Sequence, residues 1–219
     1  MRKHNMGEIV FFGKITASVT HEQQNVLAII QESAGLMEDL LTFSAEGSDS
    51  LNNRLEKSLT VIKKQLRRGI DLTTCLNRFA HSPDQPLTQI DLYEITEQMT
   101  ILSSRFAALK EVVLINHAPD QPIQIVINLV QLQIALFSSI EYCLDLLTPG
   151  GQLDISLEKQ SKMVLVKLLF DENFLWYGGL VRNLPRTSHW ESLVKNMISL
   201  EGSVEFYRSG NGIVLVLPQ

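Results

Sequence analysis

Apolar positions recur at helical spacing from Val10 to Leu41, where Phe12, Val19, Val26 and Leu40 stand nearly seven apart and Ile15, Ile29 and Leu36 join the seam. That rhythm predicts one long amphipathic helix. FSAEGSDS follows, a Gly/Ser/Asp-rich break of the kind that reverses a chain. A second helical pattern then runs from about Leu51 to Phe79 through Leu55, Leu59, Ile62, Leu66, Ile70 and Leu76. Helices of roughly 30 residues are about 45 Å long at the α-helical rise, and a short loop between them makes an antiparallel hairpin. One hairpin cannot cover two apolar stripes of that width. The expectation is a homodimer whose two hairpins form a four-helix bundle. The alternative is that the stripe packs on the chain's own second half.

HSPDQPLTQ, residues 81–89, carries two prolines and no apolar rhythm, and reads as a linker. Beyond it, helical and strand patterns alternate. IDLYEITEQMTILSSRFAALKE predicts a helix with Asp91 as N-cap and Glu94 placed as in a capping box. VVLINHA is a short strand, and about Leu129 to Leu147 a strongly apolar helix closed by TPGG. QLDISLEKQSKMVLVKLLFD predicts a hairpin turning at Glu158–Lys162. WESLVKNMISLEG is a last helix stopped at Gly202, and SVEFYRSGNGIVLVLP a closing hairpin turning at Ser209–Gly212. The expected fold is therefore α+β: a helical hairpin over residues 1–80, a linker over 81–89, and a two-layer α/β sandwich over 90–219.

Composition narrows the classes of function. Lys plus Arg number 19 against 24 Asp plus Glu, and the imbalance is uneven: residues 1–80 carry ten against nine, the remainder nine against fifteen. A net charge of −5 argues against nucleic acid as the main partner, because phosphate neutralisation needs a clustered cationic excess. No apolar run approaches the roughly 20 residues that span a bilayer, and the apolar stub before Lys14 is too short for a signal peptide. No membrane partner and a cytoplasmic location are expected. Cys75 and Cys143 are isolated thiols, which suit core positions better than a disulfide framework or a zinc cluster.

The chemistry-bearing candidate lies on the first helix. With Val19 and Val26 in the seam, His21 falls on the outer side, and Asn25 is its neighbour one turn on; Lys14 lies two turns earlier on nearly the same line. A neutral, exposed imidazole is a competent nucleophile, and an adjacent carboxylate such as Glu22 can fix its tautomer and take its proton. Taken alone, an exposed helical histidine is ordinarily a solvated surface residue.

The surrounding residues alter that reading. THEQQNVLAIIQESAGLMEDLL resembles the H-box of sensor histidine kinases, in which the phosphorylated histidine is followed by an acidic residue and, four places on, by Asn or Thr. His21, Glu22 and Asn25 fit those places, while the family's usual proline after the Asn/Thr is Val26. The hairpin is similar to the family's dimerisation and phosphotransfer domain. The second half is similar to its ATP-binding domain, through PLTQIDLYEI, LQIALFSSIEYCLDLLTPGGQLDI and LVKNMISLEGSVEFYRSGNGIVLVLP in that order.

The departures from the family are concentrated in its nucleotide site. Where the family's apolar helix carries two asparagines four residues apart, the inner one a magnesium ligand, this chain has Phe137 and Glu141. Glu141 could hold a cation through its oxygens, or simply face solvent. The family's Asp-x-Gly-x-Gly turn reads Asp171-Glu172-Asn173-Phe174-Leu175, with both glycines gone. The second glycine-rich lid reads Ser188-His189-Trp190-Glu191, where Trp190 is expected to intrude on phosphate and Glu191 to repel it. Tyr177-Gly178-Gly179 keeps a glycine pair nearby, equally good as a turn.

The resemblance therefore implies a dimeric histidine phosphotransferase on a kinase-like scaffold, with no cofactor of its own. His21 takes a phosphoryl group from the aspartate of a response-regulator receiver domain and passes it to a second receiver. Glu22 accepts the proton. Asn25 polarises the phosphoryl group or positions a water, which would allow phosphatase activity. Magnesium comes from the receiver's acidic pocket. Lys63, Lys64, Arg67 and Arg68, with Lys14, are candidate docking cations for an acidic receiver surface, or members of a solvated helix face. The competing readings are a divergent but active histidine kinase, and a pseudokinase scaffold that binds response regulators with His21 incidental.

Overall fold

The structure is a computed structural model and describes residues 6–43, 48–84, 87–171, 173, 188–207 and 211–219. Two long helices come first, α1 (Met6–Phe43) and α2 (Ser48–Ala80), packed antiparallel along their length. Their shared seam holds Ile15, Val19, Val26 and Leu40 from α1 against Leu72 and Phe79 from α2, all buried. Gly69 lets the helices approach closely, since a Cβ there would lie 3.3 Å from a Val26 methyl. Gln23 spans the same gap, its Nε2 donating to the Gly69 carbonyl at 2.9 Å and to the Thr73 hydroxyl at 2.6 Å.

The seam explains only half of the apolar pattern. Leu27 and Leu41 on α1, and Leu59, Leu66 and Ile70 on α2, remain exposed on the hairpin's other face. On α1 these positions continue a spacing of three and four residues through Gly13, Ala17, Thr20 and Gln24, small or polar side chains that leave the face flat.

Residues 81–89 are more ordered than an open linker. A 3-10 turn at Ser82–Asp84 is followed by strand β1 (Leu87–Asp91), which pairs antiparallel with β3 (Gln124–Asn128). Ile125 and Ile127 supply the apolar anchor for this ribbon, and Pro83 lies in the 3-10 turn before it. Asp91 then caps α3 (Leu92–Leu109), its carboxylate accepting from the Tyr93 amide at 3.0 Å.

The main sheet has five strands in the order β2 (Val113–Asn116), β4 (Gln152–Lys159), β5 (Met163–Phe170), β7 (Gly212–Pro218), β6 (Ser203–Phe206). The β2–β4 pair is parallel and the others antiparallel. Alternate residues Leu153, Ile155, Val164, Val166, Leu168, Ile213, Leu215 and Leu217 form the buried face, under α4 (Leu129–Leu146) and α5 (Ser188–Ser199). The α+β fold with its N-terminal hairpin and two-layer sandwich is the one expected. Gly202 works differently from the expected helix stop. Glu201 takes the left-handed turn at φ 57°, while a Cβ on Gly202 would meet the Val216 carbonyl at 2.4 Å. The close approach of backbone to β7 requires glycine there.

Helix α4 is buried around nearly its whole circumference, because the sheet lies beneath it, α3 and α5 flank it, and the first turns of α1 cross it at Phe137 and Glu141. Its length and composition would suffice to cross a membrane, yet its apolarity is accounted for by the elements packed around it.

Candidate functional site

His21 lies midway along α1 with its imidazole exposed. One turn earlier Ser18 is buried, and the next residue, Glu22, is buried as well, so His21 stands at the edge of the covered surface. Asn25 reaches back to it, the amide Nδ2 lying 3.4 Å from the imidazole Nδ1. As drawn, Nδ1 accepts and the ring proton sits on Nε2. Turning the amide over lets Asn25 Oδ1 accept from Nδ1–H, leaving the Nε2 lone pair free and directed away from the helix. This second arrangement is the nucleophilic one.

Glu22 does not face the imidazole. Successive residues project about 100° apart round a helix, and Glu22 points into the groove between α1 and α2, where it is ion-paired with Arg68. The Glu22 side chain is only 9% exposed, the Arg68 side chain 46%. The expected proton acceptor is thus engaged by a guanidinium, and the group touching the ring is Asn25.

The other expected residues divide between two clefts. Lys63, Lys64, Arg67 and Arg68 line an open cleft of about 770 Å³ between α2 and α3, with Asp71, Glu97 and Ile101. Lys14 stands apart from them. Its Nζ is 2.9 Å from Glu141 Oε1 on α4 and lies 5.8 Å from the Phe137 ring centroid, so it serves a contact within the chain.

The second cleft, about 410 Å³, is bounded by the start of α1, α4 and α5, and includes Phe11, Lys14, Gln131, Phe137, Glu141 and Lys195. Phe137 and Glu141, the positions expected to mark a degenerate nucleotide site, face the chain's own first helix here. Phe137 is 3% exposed, its ring 5.5 Å from Phe11 and 5.3 Å from Phe106. Phe11 in turn lies 5.3 Å from Phe79, which Phe12 also contacts at 4.6 Å. A hydrogen bond of 3.0 Å from Gln131 Nε2 to Glu8 Oε1 completes the junction. Glu141 is therefore partly exposed but not free to hold a cation, because its carboxylate meets Lys14.

Trp190 also departs from expectation. It is buried in the second domain's core, stacked on Phe206 at 4.3 Å and packed against Tyr142 at 5.3 Å. The indole is a structural anchor and does not project into a ligand space. Asp171 ends β5 in the open, its Oδ1 accepting from the Asn173 amide and side chain at 2.9 and 2.8 Å. Phe174, Leu175, the pair Gly178-Gly179 and the side chains of Ser188 and His189 lie outside the described residues. Among the described residues no group of three His, Cys, Asp or Glu side chains could hold a metal ion. His81 and His117 are surface groups beside Asp84 at 2.9 Å and Asp154 at 2.7 Å.

Three contributors were not visible in the residue pattern: Phe11 as the cap on Phe137, Arg68 as the partner of Glu22, and Gln23 as the clasp on Gly69. The antiparallel register of the hairpin, once known, brings residues 22 and 23 to the level of residues 68 and 69. That register is the signal that would have found two of them.

No family model matches the chain, and no curated protein matches it in sequence. Among solved structures it is similar to the catalytic domain of the histidine kinase ThkA, at 13% identity and a TM-score of 0.45, covering 60% of this chain and 95% of that one. Similarity to the histidine kinase AdeS of Acinetobacter baumannii has 15% identity and a TM-score of 0.45, covering 90% and 96%. A structure of ThkA in complex with the response regulator TrrA gives 15% identity and a TM-score of 0.43, over 96% of this chain and 62% of that one.

Proposed function

We propose that the chain is a histidine phosphotransfer protein of a two-component phosphorelay, carrying phosphoryl groups between receiver aspartates on His21 without consuming ATP. The observation that carries this reading is the exposed His21 imidazole, with the Asn25 amide 3.4 Å from its Nδ1, in a segment that resembles an H-box. In the forward step the Nε2 lone pair attacks the aspartyl phosphate, an N–P bond forms, and the P–O bond breaks with its electrons leaving on the receiver carboxylate. The proton on Nδ1 is held by the Asn25 carbonyl oxygen. Magnesium at the receiver's own carboxylates neutralises the transferring group, so this chain supplies position and a nucleophile.

The same reading holds that a nucleotide is not bound. Phe11 covers Phe137 and Lys14 occupies Glu141, an apolar and already neutralised surface that fits neither adenine phosphates nor their magnesium. The uncovered stripe of Leu27, Leu41, Leu59, Leu66 and Ile70 supports a second copy on the hairpin, giving the four-helix bundle. The cationic α2–α3 cleft supports an acidic partner surface on the hairpin, with three of the four expected α2 cations, Lys63, Lys64 and Arg67, in no ion pair among the described residues.

The deciding experiment is transfer from a phosphorylated receiver domain to wild type and to His21→Gln. Labelling of wild type alone supports the relay. Equal labelling of both, or of neither, removes His21 from the mechanism and leaves a receiver-binding scaffold.

A further inference from the structure

Helices α2 and α3 are joined at one end, where Gln98 Nε2 donates to the Cys75 carbonyl at 3.0 Å. Every α2 residue lining the cleft between them precedes Cys75, so the cleft opens away from that join. Its α2 wall, from Thr60 to Leu72, is about 18 Å long at the α-helical rise. Leu72, buried, and Ile101, half-buried, give it an apolar floor, and the aliphatic stems of Lys63, Lys64 and Arg67 extend that surface. The charges are sorted along the wall. Lys63, Lys64, Arg67 and Arg68 fall within two turns, while Asp71 and Glu97 stand at the end nearer the join. Of the four cations only Arg68 has a carboxylate, Glu22, among the described residues. Arg67 and Asp71 have the spacing of a helical ion pair, yet none joins them. Cations on a solvated helix face need neither an apolar floor nor a second wall, and here both are present.

We infer that the α2–α3 cleft is a docking groove for an acidic amphipathic helix of a partner protein, laid along α2 with its apolar edge on Leu72 and Ile101 and its carboxylates against Lys63, Lys64 and Arg67. This takes further the acidic partner surface of the relay reading, and it stands or falls without His21. Helices seated in grooves anchor through residues at i, i+4 and i+7, the same spacing at which Glu97, Ile101 and Ser104 line the groove from α3. The three cations give up no ion pair within the chain when a partner's carboxylates reach them. Asp71 and Glu97 repel acid at the join, so the partner's acidic side chains take the Thr60–Arg68 part and its direction is set. A polynucleotide would also satisfy the cations. It would find no aromatic side chain in the groove on which a base could stack, and two carboxylates facing its phosphates.

The test uses the full chain and a fluorescein-labelled synthetic helix of about 14 residues, long enough to fill the α2 wall, with Leu at i, i+4 and i+7 and Glu on both flanks. Fluorescence anisotropy should show saturable binding that weakens as salt rises. The charge-reversed chain Lys63→Glu/Arg67→Glu, with helix content unchanged in circular dichroism, should bind at least about tenfold more weakly. Replacing the peptide's Leu residues by Ser should weaken binding to the wild-type chain by a similar factor. Undiminished binding to the charge-reversed chain, or no binding to wild type, overturns the inference. Undiminished binding of the Leu-free peptide overturns it as well, because the surface then senses charge alone. Tighter binding of an oligodeoxythymidylate of equal charge, lost in the same variant, also overturns it and makes the cleft a polynucleotide surface. Phosphoryl transfer to His21 is read in a separate assay, so failure of the relay leaves the groove standing and failure of the groove leaves the relay standing.

Discussion

Phe11 and Phe137 are 126 positions apart in sequence and their ring centroids lie 5.5 Å apart, joining the first turn-and-a-half of α1 to the middle of α4. With the Lys14–Glu141 ion pair and the Gln131–Glu8 hydrogen bond, this contact ties the helical hairpin to the α/β part of the chain. Phe12, Phe79 and Phe106 extend it into a continuous aromatic cluster. The junction is continuous with the apolar core beneath α4, and its energetics can be measured.

Truncating Phe137 to Ala should cost about 3–5 kcal/mol, the usual range for a fully buried phenylalanine. Glu141→Gln should cost less than about 1 kcal/mol, because its ion pair with Lys14 is partly solvated. Urea denaturation of the two variants separates these terms. Similar losses for both would mean that the ion pair, and not the aromatic cluster, holds the junction.

Thermal melting in the presence of ATP and magnesium should give the same midpoint at every nucleotide concentration. A ligand that binds only the folded state at a hundred times its dissociation constant adds about 2.7 kcal/mol of stability, so even modest binding is visible as a rising midpoint. Such a rise would restore the divergent-kinase reading.

On the open face of the hairpin, Leu66→Glu and Ile70→Glu should convert a dimer to a monomer in light-scattering chromatography with little loss of helix content. Both side chains are at least half exposed in the single chain, so their burial comes only from a second copy. A wild type that is monomeric at micromolar concentration rules the bundle out.

Asn25→Ala should slow phosphoryl transfer to His21 by about two- to tenfold, the worth of one hydrogen bond that selects the ring tautomer. His21→Gln should abolish it. Rapid-quench labelling from a phosphorylated receiver gives both rates. An Asn25 variant as fast as wild type would show that the tautomer is set by the receiver.

The two thiols should differ in reactivity. Burial raises the Cys143 thiol far above its ordinary range. Cys75 is raised less, mainly by partial burial, opposed by Arg78 and assisted by Asp71 and Glu97. Alkylation at pH 8 followed by mass spectrometry should label Cys75 slowly in the native protein and Cys143 only after unfolding.

The residue pattern was sufficient for the two long helices, for the alternation of the β4–β5 hairpin, for Asp91 as a cap and for His21 as an exposed group. Each depends on local periodicity or on chemistry within one turn, which a linear chain displays directly. The strand at Leu87–Asp91 was hidden because its only partner, Gln124–Asn128, lies beyond α3, and a two-residue alternation so short is legible only when paired. The direction of Glu22, the burial of Phe137 under Phe11, the engagement of Lys14 by Glu141 and the stacking of Trp190 on Phe206 all depend on contacts between elements distant in sequence. Side-chain type alone could not decide them, since a carboxylate beside a histidine, or a tryptophan in a lid-like position, can face either way round a helix. The register of α1 on α2 and the seating of the hairpin on α4 made that choice, because the buried area gained by those packings outweighs the preference of any single residue.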